Sequence, residues 1–161
     1  MTFRFDPQLV SVDIDADGCE EAIHAVAGPL VRHGYVGDDY PRLVCERERE
    51  YPTGLSTKTV SLALAHADGK EQVSGDHVAV GIMRSPVCFR NMEDADEMLP
   101  VGIVFVLAMS SSHAHLEMLQ VLMELMRDDV LLDSLVAMAT TQEVCAALNG
   151  FIEAREFENV A

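Results

Sequence analysis

One histidine closes a segment in which large and small apolar side chains alternate, Leu62-Ala63-Leu64-Ala65-His66. In a β-strand Leu62, Leu64 and His66 share one face, so the imidazole stands at the end of a row of large apolar side chains. Neutral imidazole is a good nucleophile near pH 7, because its ordinary pKa of about 6.5 leaves it mostly unprotonated, and its attack on phosphorus gives a reactive phosphoramidate. The segment predicts a nucleophilic histidine at a strand end; a core histidine hydrogen-bonded to a local carbonyl group is the alternative.

Arg47 is a candidate for compensating negative charge on a transferred phosphoryl group. It lies four residues after Leu43 and three after Val44, which places it on the inward stripe of a predicted helix. A guanidinium in that position can bind a phosphate through two parallel hydrogen bonds. The alternative is a snorkelling side chain whose aliphatic stem covers apolar surface.

A second source of charge compensation follows the longest apolar segment, Val101 to Met109, where Ser110-Ser111-Ser112 begins a predicted helix. Free backbone N–H groups at a helix start can hold an anion, and ligand sites in layered α/β folds lie beyond the carboxyl ends of strands. His115 occupies the first turn of this helix on its apolar face, where the helix dipole disfavours protonation. A helix-capping or simply exposed histidine is the alternative interpretation of His115.

These residues belong to a longer pattern, in which Arg47-Glu48 is followed after three residues by Pro52-Thr53-Gly54-Leu55 and then by His66. The pattern resembles the fructose/mannitol/galactitol class of enzyme IIA (EIIA) domains of the bacterial sugar phosphotransferase system. The interval of 13 residues from Thr53 to His66 is the longer spacing of the galactitol-type members. Further matches extend the resemblance from about Gly18 to Ile152: Gly34-Tyr35-Val36, 78–82 with 86–89, 104–108 and His115-Leu116.

The resemblance implies that His66 accepts a phosphoryl group from the phosphocarrier protein HPr and passes it to a cysteine of a cognate enzyme IIB (EIIB), for uptake of a polyol such as galactitol or a related sugar. It favours a phosphate-binding role for Arg47 and makes His115 similar to a second active-site histidine, which donates a hydrogen bond near the phosphohistidine. Thr53 would fix a neighbouring loop, hydrogen-bond near the site or serve only the turn. No metal or organic cofactor is required.

One position departs from the family pattern, since Ala65 stands where proline usually precedes the histidine. We expect Ala65→Pro to be tolerated if the Ala65 amide lies outside the hydrogen-bond ladder and Leu64 is extended.

Length and charge restrict the class of protein. With 161 residues the chain is expected to form a single domain, residues 1–161, with its core at about 18–152. The net charge of −16 would repel nucleic acid and anionic membranes, which bind through clustered lysine and arginine. Proteins with a basic patch or a small substrate are the expected partners, and a purely solubilising role for the charge is the alternative.

The cysteines and the apolar segments indicate a cytoplasmic protein. Its four cysteines are dispersed and form no Cys-x-x-Cys pair. The N-terminus lacks the basic start and apolar run of a secretory signal, and the apolar segment from Val101 is about half of what spans a bilayer. Any contact with the membrane is expected to be indirect, through the EIIC transporter component.

The order of elements predicts an α/β fold: one layered domain with a mixed β-sheet of about five strands and helices on both faces. Strands are predicted near 59–65, 77–83, 86–90 and 101–109, with a tight turn at Arg84-Ser85. Helices are predicted over 17–33, kinked at Gly28-Pro29, from Pro41 to about Glu50, from the serine run to about Met126, and after Asp128. Thr140-x-x-Glu143 predicts a capping box for a C-terminal helix.

Two other functions fit the same residues. A regulatory relative would use the phosphorylation state of His66 to control the binding of other proteins without transporting sugar. A metal site built from His66, His113 and His115 is disfavoured, because the side chains of His-x-His on a helix diverge and no carboxylate lies at a ligand spacing.

Overall fold

The computed structural model of the protein describes residues 3–68 and 72–160. Within these residues the strands are β1 (Val10–Ile14), β2 (Gly54–Leu55), β3 (Ser61–His66), β4 (His77–Arg90) and β5 (Met98–Ala108). The α-helices are α1 (Cys19–Arg32), α2 (Tyr40–Glu50), α3 (Ser112–Leu125), α4 (Asp129–Val136) and α5 (Thr141–Val160).

The strands form one mixed sheet in the order β1-β4-β5-β3-β2. The apolar segment from Val101 lies in β5, which pairs with β3 in parallel and with β4 antiparallel. The prediction of a buried strand in the middle of the sheet is therefore confirmed. Because β3 and β5 are parallel, both reach the same edge of the sheet at their carboxyl ends, and α3 begins just beyond that edge.

Helices cover both faces of the sheet, as predicted. On one face α3, α4 and α5 pack on large side chains such as Leu62, Leu64 and Phe105. On the other face α1 and α2 pack on a second cluster, which includes the small side chains of Ala63 and Ala65. The alternation of leucine and alanine in β3 thus serves two layers, and by the same alternation His66 belongs to the face covered by α3.

Several predicted helix signals are present. Glu143 donates its backbone N–H to Thr140 Oγ1 at 3.1 Å, so Thr140 caps α5 as predicted, and the Glu143 carboxylate accepts from the Thr140 hydroxyl at 2.9 Å. Gly34 lies just beyond α1 with φ of +72°, a left-handed conformation that glycine adopts without a steric penalty. Helix α1 continues through Pro29 to Arg32.

The predicted turn at Arg84-Ser85 is wrong. The two predicted strands are one 14-residue strand, β4, and β5 pairs with both halves of it. The pairing with β5 shifts register between Ile82 and Val87, so Arg84 and Ser85 lie in a bulge-like irregularity within β4 and not in a turn. Arg84 is held there by Asp13, whose Oδ1 lies 2.8 Å from Arg84 Nε. Two short strands, β1 and β2, were not predicted by the sequence pattern.

Candidate functional site

His66 and His115 meet at the carboxyl edge of the sheet. His66 is the last residue of β3, and His115 lies in the first turn of α3. Their ring centroids are 4.5 Å apart with 58° between the ring planes. Two histidines that are 49 positions apart in the chain are thus in side-chain contact, because β3 and β5 end together and α3 starts from the end of β5.

The backbone fixes the tautomer of His66. Its Nδ1 lies 2.9 Å from the carbonyl oxygen of Leu64, and since a carbonyl oxygen only accepts, Nδ1 carries the proton. Nε2 is then the unprotonated nitrogen with the available lone pair. The local carbonyl bond expected for a purely structural histidine is present, and it leaves the second nitrogen for chemistry.

Burial lowers the pKa of His66 to about 4. The charge of Arg47 and the neighbouring His115 contribute to this lowering of the pKa, whereas the hydrogen bond to Leu64 and the charge of Asp68 oppose it. The imidazole is therefore neutral at pH 7, which is the state that a nucleophile requires.

Arg47 reaches this edge from α2, on the opposite side of the sheet from α3. Its side chain is only 23% exposed, and its Nε donates to Asp68 Oδ1 at 3.2 Å. The guanidinium carbon also lies 5.3 Å from the ring centroid of Tyr51, a cation–π distance. The inward position predicted from the apolar stripe is thus observed, with the charged group directed towards the strand end.

Thr53 is bound to Glu48, and this tie explains the spacing of the Arg-Glu-x-x-x-Pro-Thr-Gly pattern. The backbone N–H of Thr53 donates to Glu48 Oε2 at 2.8 Å, and its hydroxyl donates to Oε1 at 2.6 Å. The next residue must be glycine, because a Cβ at Gly54 would lie only 2.5 Å from the carbonyl oxygen of Arg90. Thr53 thus fixes the loop next to β3. Its buried partner is Glu48, a residue of the sequence pattern for which the sequence predicted no role.

Tyr40 is a second buried contact that the sequence did not signal. Its hydroxyl donates to the carbonyl oxygen of Leu107 at 2.7 Å and accepts from the Ala67 backbone N–H at 3.4 Å. Burial raises the pKa of Tyr40 to about 12, so the hydroxyl stays protonated. Tyr40, the first residue of α2, therefore links the residue after His66 to Leu107, the residue paired with His66 in β5.

Ala65 lies inside the strand pairing, opposite Val106 of β5. The Leu64 N–H donates to Thr53 on the β2 side at 3.3 Å, so the next amide along the strand, that of Ala65, is directed towards β5. The condition for tolerating proline at this position is not met, because proline would remove a donor facing the paired strand. His66 is presented here by a regular strand.

The serine run after β5 already has partners for part of its backbone. Ser110 donates its N–H and its hydroxyl to Asp76 Oδ1 at 2.9 and 2.8 Å. The Ser111 hydroxyl caps α3 by accepting from the Ala114 N–H at 3.1 Å. Two of the groups predicted to hold an anion are therefore engaged within the chain.

The alternative of a histidine metal site, which the sequence disfavours, has no support in the part of the chain that the structure describes. His113 Nε2 lies 2.6 Å from Glu117 Oε1 on the exposed side of α3. No group of three histidine, cysteine, aspartate or glutamate side chains in residues 3–68 and 72–160 is arranged to hold a metal ion.

A family model described as "Phosphoenolpyruvate-dependent sugar phosphotransferase system, EIIA 2" matches residues 4–150. The chain belongs to this family. The sequence-based assignment to the EIIA domains is thereby confirmed. In the described residues of this EIIA protein, no helix is long and apolar enough to cross a membrane.

Individual EIIA proteins resemble the chain at low identity. The galactitol-specific EIIA component of Escherichia coli K12 is 23% identical over 124 residues, which are 76% of this chain and 80% of the relative. The complex of enzyme IIAMTL and phosphorylated enzyme IIBMTL from Escherichia coli contains a chain with a TM-score of 0.74 and 22% identity, covering 91% of this chain and 98% of that one. Nitrogen regulatory protein IIA-Ntr from Neisseria meningitidis has a TM-score of 0.69 and 21% identity, covering 89% and 95%.

Proposed function

We propose that this EIIA protein is a phosphoryl carrier that accepts phosphate on Nε2 of His66 from phosphorylated HPr and passes it to a cysteine of a cognate EIIB. The observation that carries the proposal is the state of His66 itself. Its Nδ1 proton is held by the Leu64 carbonyl, its pKa is lowered to about 4 chiefly by burial, and its ring contacts His115. The neutral ring thus keeps a lone pair at the strand end.

The transfer needs no change of protonation at the acceptor. As Nε2 attacks, the nitrogen–phosphorus bond forms while the bond from phosphorus to the donor breaks, and Nδ1 keeps its proton on the Leu64 carbonyl. In the second step a thiolate of EIIB attacks phosphorus, and the bonding electron pair returns to Nε2. Because the ring begins and ends in the same tautomer, the carrier is ready for another cycle.

Three neighbouring groups have separate roles in this mechanism. Arg47 compensates the charge of the equatorial phosphoryl oxygens, which is a main requirement of phosphoryl transfer. His115, 4.5 Å from His66 between ring centroids, donates a hydrogen bond to a phosphoryl oxygen. Thr53 acts indirectly, since its bonds to Glu48 position the loop next to β3.

Partners dock around the strand end. The net charge of −16 suits a basic donor such as HPr. Leu116, beside His115, and Tyr51, beside Arg47, are exposed apolar side chains that can supply contact area to either partner. The resemblance to a galactitol-specific component supports uptake of galactitol or a related polyol, with the protein in the cytoplasm and the membrane reached through EIIC.

Intact mass spectrometry tests the proposal. After incubation with phosphoenolpyruvate, enzyme I and HPr, we expect the wild type to gain one acid-labile phosphate and His66→Ala to gain none. His113→Ala is the matched control, because His113 is exposed and is paired with Glu117. Phosphate that remains on His66→Ala would show that another residue is the acceptor.

A regulatory role uses the same phosphohistidine, and the IIA-Ntr protein shares the fold. Transfer from the phosphorylated protein to a purified cognate EIIB distinguishes the two roles. A regulatory protein would be phosphorylated by HPr but would not pass phosphate to EIIB.

A further inference from the structure

Asp68 follows the proposed phosphoryl acceptor by two residues and is the acidic partner of Arg47. Its Oδ1 accepts from Arg47 Nε at 3.2 Å. The Asp68 side chain is 81% exposed, whereas that of Arg47 is 23% exposed. Burial lowers the pKa of His66, and the charge of Asp68 opposes this shift, so the carboxylate acts on both the arginine and the histidine.

A phosphoryl group on Nε2 would compete with Asp68 for the same cation. The group carries about −1.5 to −2 charges near neutral pH, and its oxygens are strong hydrogen-bond acceptors. A guanidinium has donors for more than one acceptor, but two anions next to one cation repel each other. Because Asp68 is exposed, it can release Arg47 into water without leaving a buried charge unpaired.

We propose that Asp68 is a displaceable counter-ion of Arg47 and sets the equilibrium of phosphoryl transfer. In the unphosphorylated protein it neutralises Arg47, and after phosphorylation its charge disfavours the phosphoryl group and so favours onward transfer. Asp68 is a positioning residue, because it acts through Arg47 and does not touch the reacting atoms. The inference rests on the proposed function of His66.

The test is the equilibrium constant for transfer from phosphorylated HPr, measured by intact mass at fixed ratios of the two proteins. Exposed ion pairs are weak, so we expect Asp68→Asn to raise the constant by about two- to fivefold. Asp68→Glu should restore a value near that of the wild type. Glu46→Gln is the charge-matched control, since Glu46 pairs with Arg42 on the same helix at 2.6 Å.

A coupling measurement shows whether the effect passes through Arg47. We expect Asp68→Asn to raise the equilibrium constant by a smaller factor in an Arg47→Gln background. The guanidinium for which Asp68 and the phosphoryl group compete is then absent. An undiminished gain would mean that Asp68 acts on the phosphoryl group by repulsion alone and would overturn the counter-ion role.

The remaining outcomes separate this inference from the proposed function. If the wild type is phosphorylated on His66 but Asp68→Asn has the same or a lower equilibrium constant, the inference alone is overturned. An equal gain in Glu46→Gln would assign the effect to net charge and would also overturn it. A wild type that takes no phosphate from HPr overturns the proposed function, and the role of Asp68 with it.

Discussion

The two sides of the site are held by different kinds of contact. On the α2 side, the bonds of Thr53 to Glu48 and of Tyr40 to Leu107 are buried. On the α3 side, the bonds of Ser110 to Asp76 and within the cap at Ser111 are exposed to water. Breaking a buried bond leaves an unsatisfied polar group, whereas water replaces an exposed one. We therefore expect the loss of a bond on the α2 side to cost more stability than the loss of a bond at the start of α3.

The largest expected difference between the two sides is in stability. Glu48→Ala removes both carboxylate oxygens, so the buried Thr53 N–H and hydroxyl lose their acceptor. We expect the free energy of unfolding, measured by urea denaturation, to fall by about 1–3 kcal/mol.

Ser111→Ala is the matched variant on the α3 side. It removes the cap from the Ala114 N–H and should lower the free energy of unfolding by about 1 kcal/mol or less. Equal losses in the two variants would contradict the contrast between a buried and an exposed side.

The imidazole between the two sides gives a pH dependence of stability. The pKa of His66 in the folded protein, about 4, lies below its ordinary unfolded value, so the unfolded chain takes up the proton first as the pH falls. The stabilisation is therefore complete above about pH 6.5 and is lost towards pH 4.

Relative to His66→Gln, we expect the wild type to lose about 2 kcal/mol of unfolding free energy between pH 7 and pH 5. Parallel denaturation series of the two proteins measure the difference, and contributions from other titrating groups cancel between them. A constant difference over this range would show that His66 titrates at its ordinary pKa and is not desolvated.

Arg47 gives a test that concerns the rate of transfer and leaves stability unchanged. Arg47→Lys keeps the charge but loses the fork of parallel donors, so transfer from HPr should slow by about tenfold, roughly 1.4 kcal/mol of transition-state stabilisation. Rapid-quench assays measure the rate, and the urea midpoint should stay that of the wild type. A normal rate with a lowered midpoint would make Arg47 a structural residue.

The sequence could predict those features of the site that depend on a short segment with a clear periodicity. The alternation in β3 placed His66 on the face of Leu62 and Leu64, and the apolar stripe of α2 placed Arg47 inward. The apolar run in β5 indicated a central strand, which in turn fixed the edge where α3 begins. Each inference needed only a few neighbouring residues and one periodicity.

Features that depend on a partner distant in the chain were missed. Arg84-Ser85 has the composition of a turn, but the pairing of β4 with residues 98–101 of β5 keeps that segment extended. The same limit applies to Asp68, which is hydrogen-bonded to Arg47 21 positions away, and to Tyr40, whose acceptor Leu107 is 67 positions away. Strand β2 has only two residues and therefore too little sequence for any periodicity.

The most direct test of the central claim is the identity of the phosphorylated nitrogen. Protein labelled with ¹⁵N is phosphorylated through HPr, and histidine ring spectra are recorded with detection of phosphorus–nitrogen coupling. We expect the coupling on Nε2 of His66, with the proton still on Nδ1, because the Leu64 carbonyl holds that proton at 2.9 Å. Coupling on Nδ1 of His66, or on the ring of another histidine, would contradict the account.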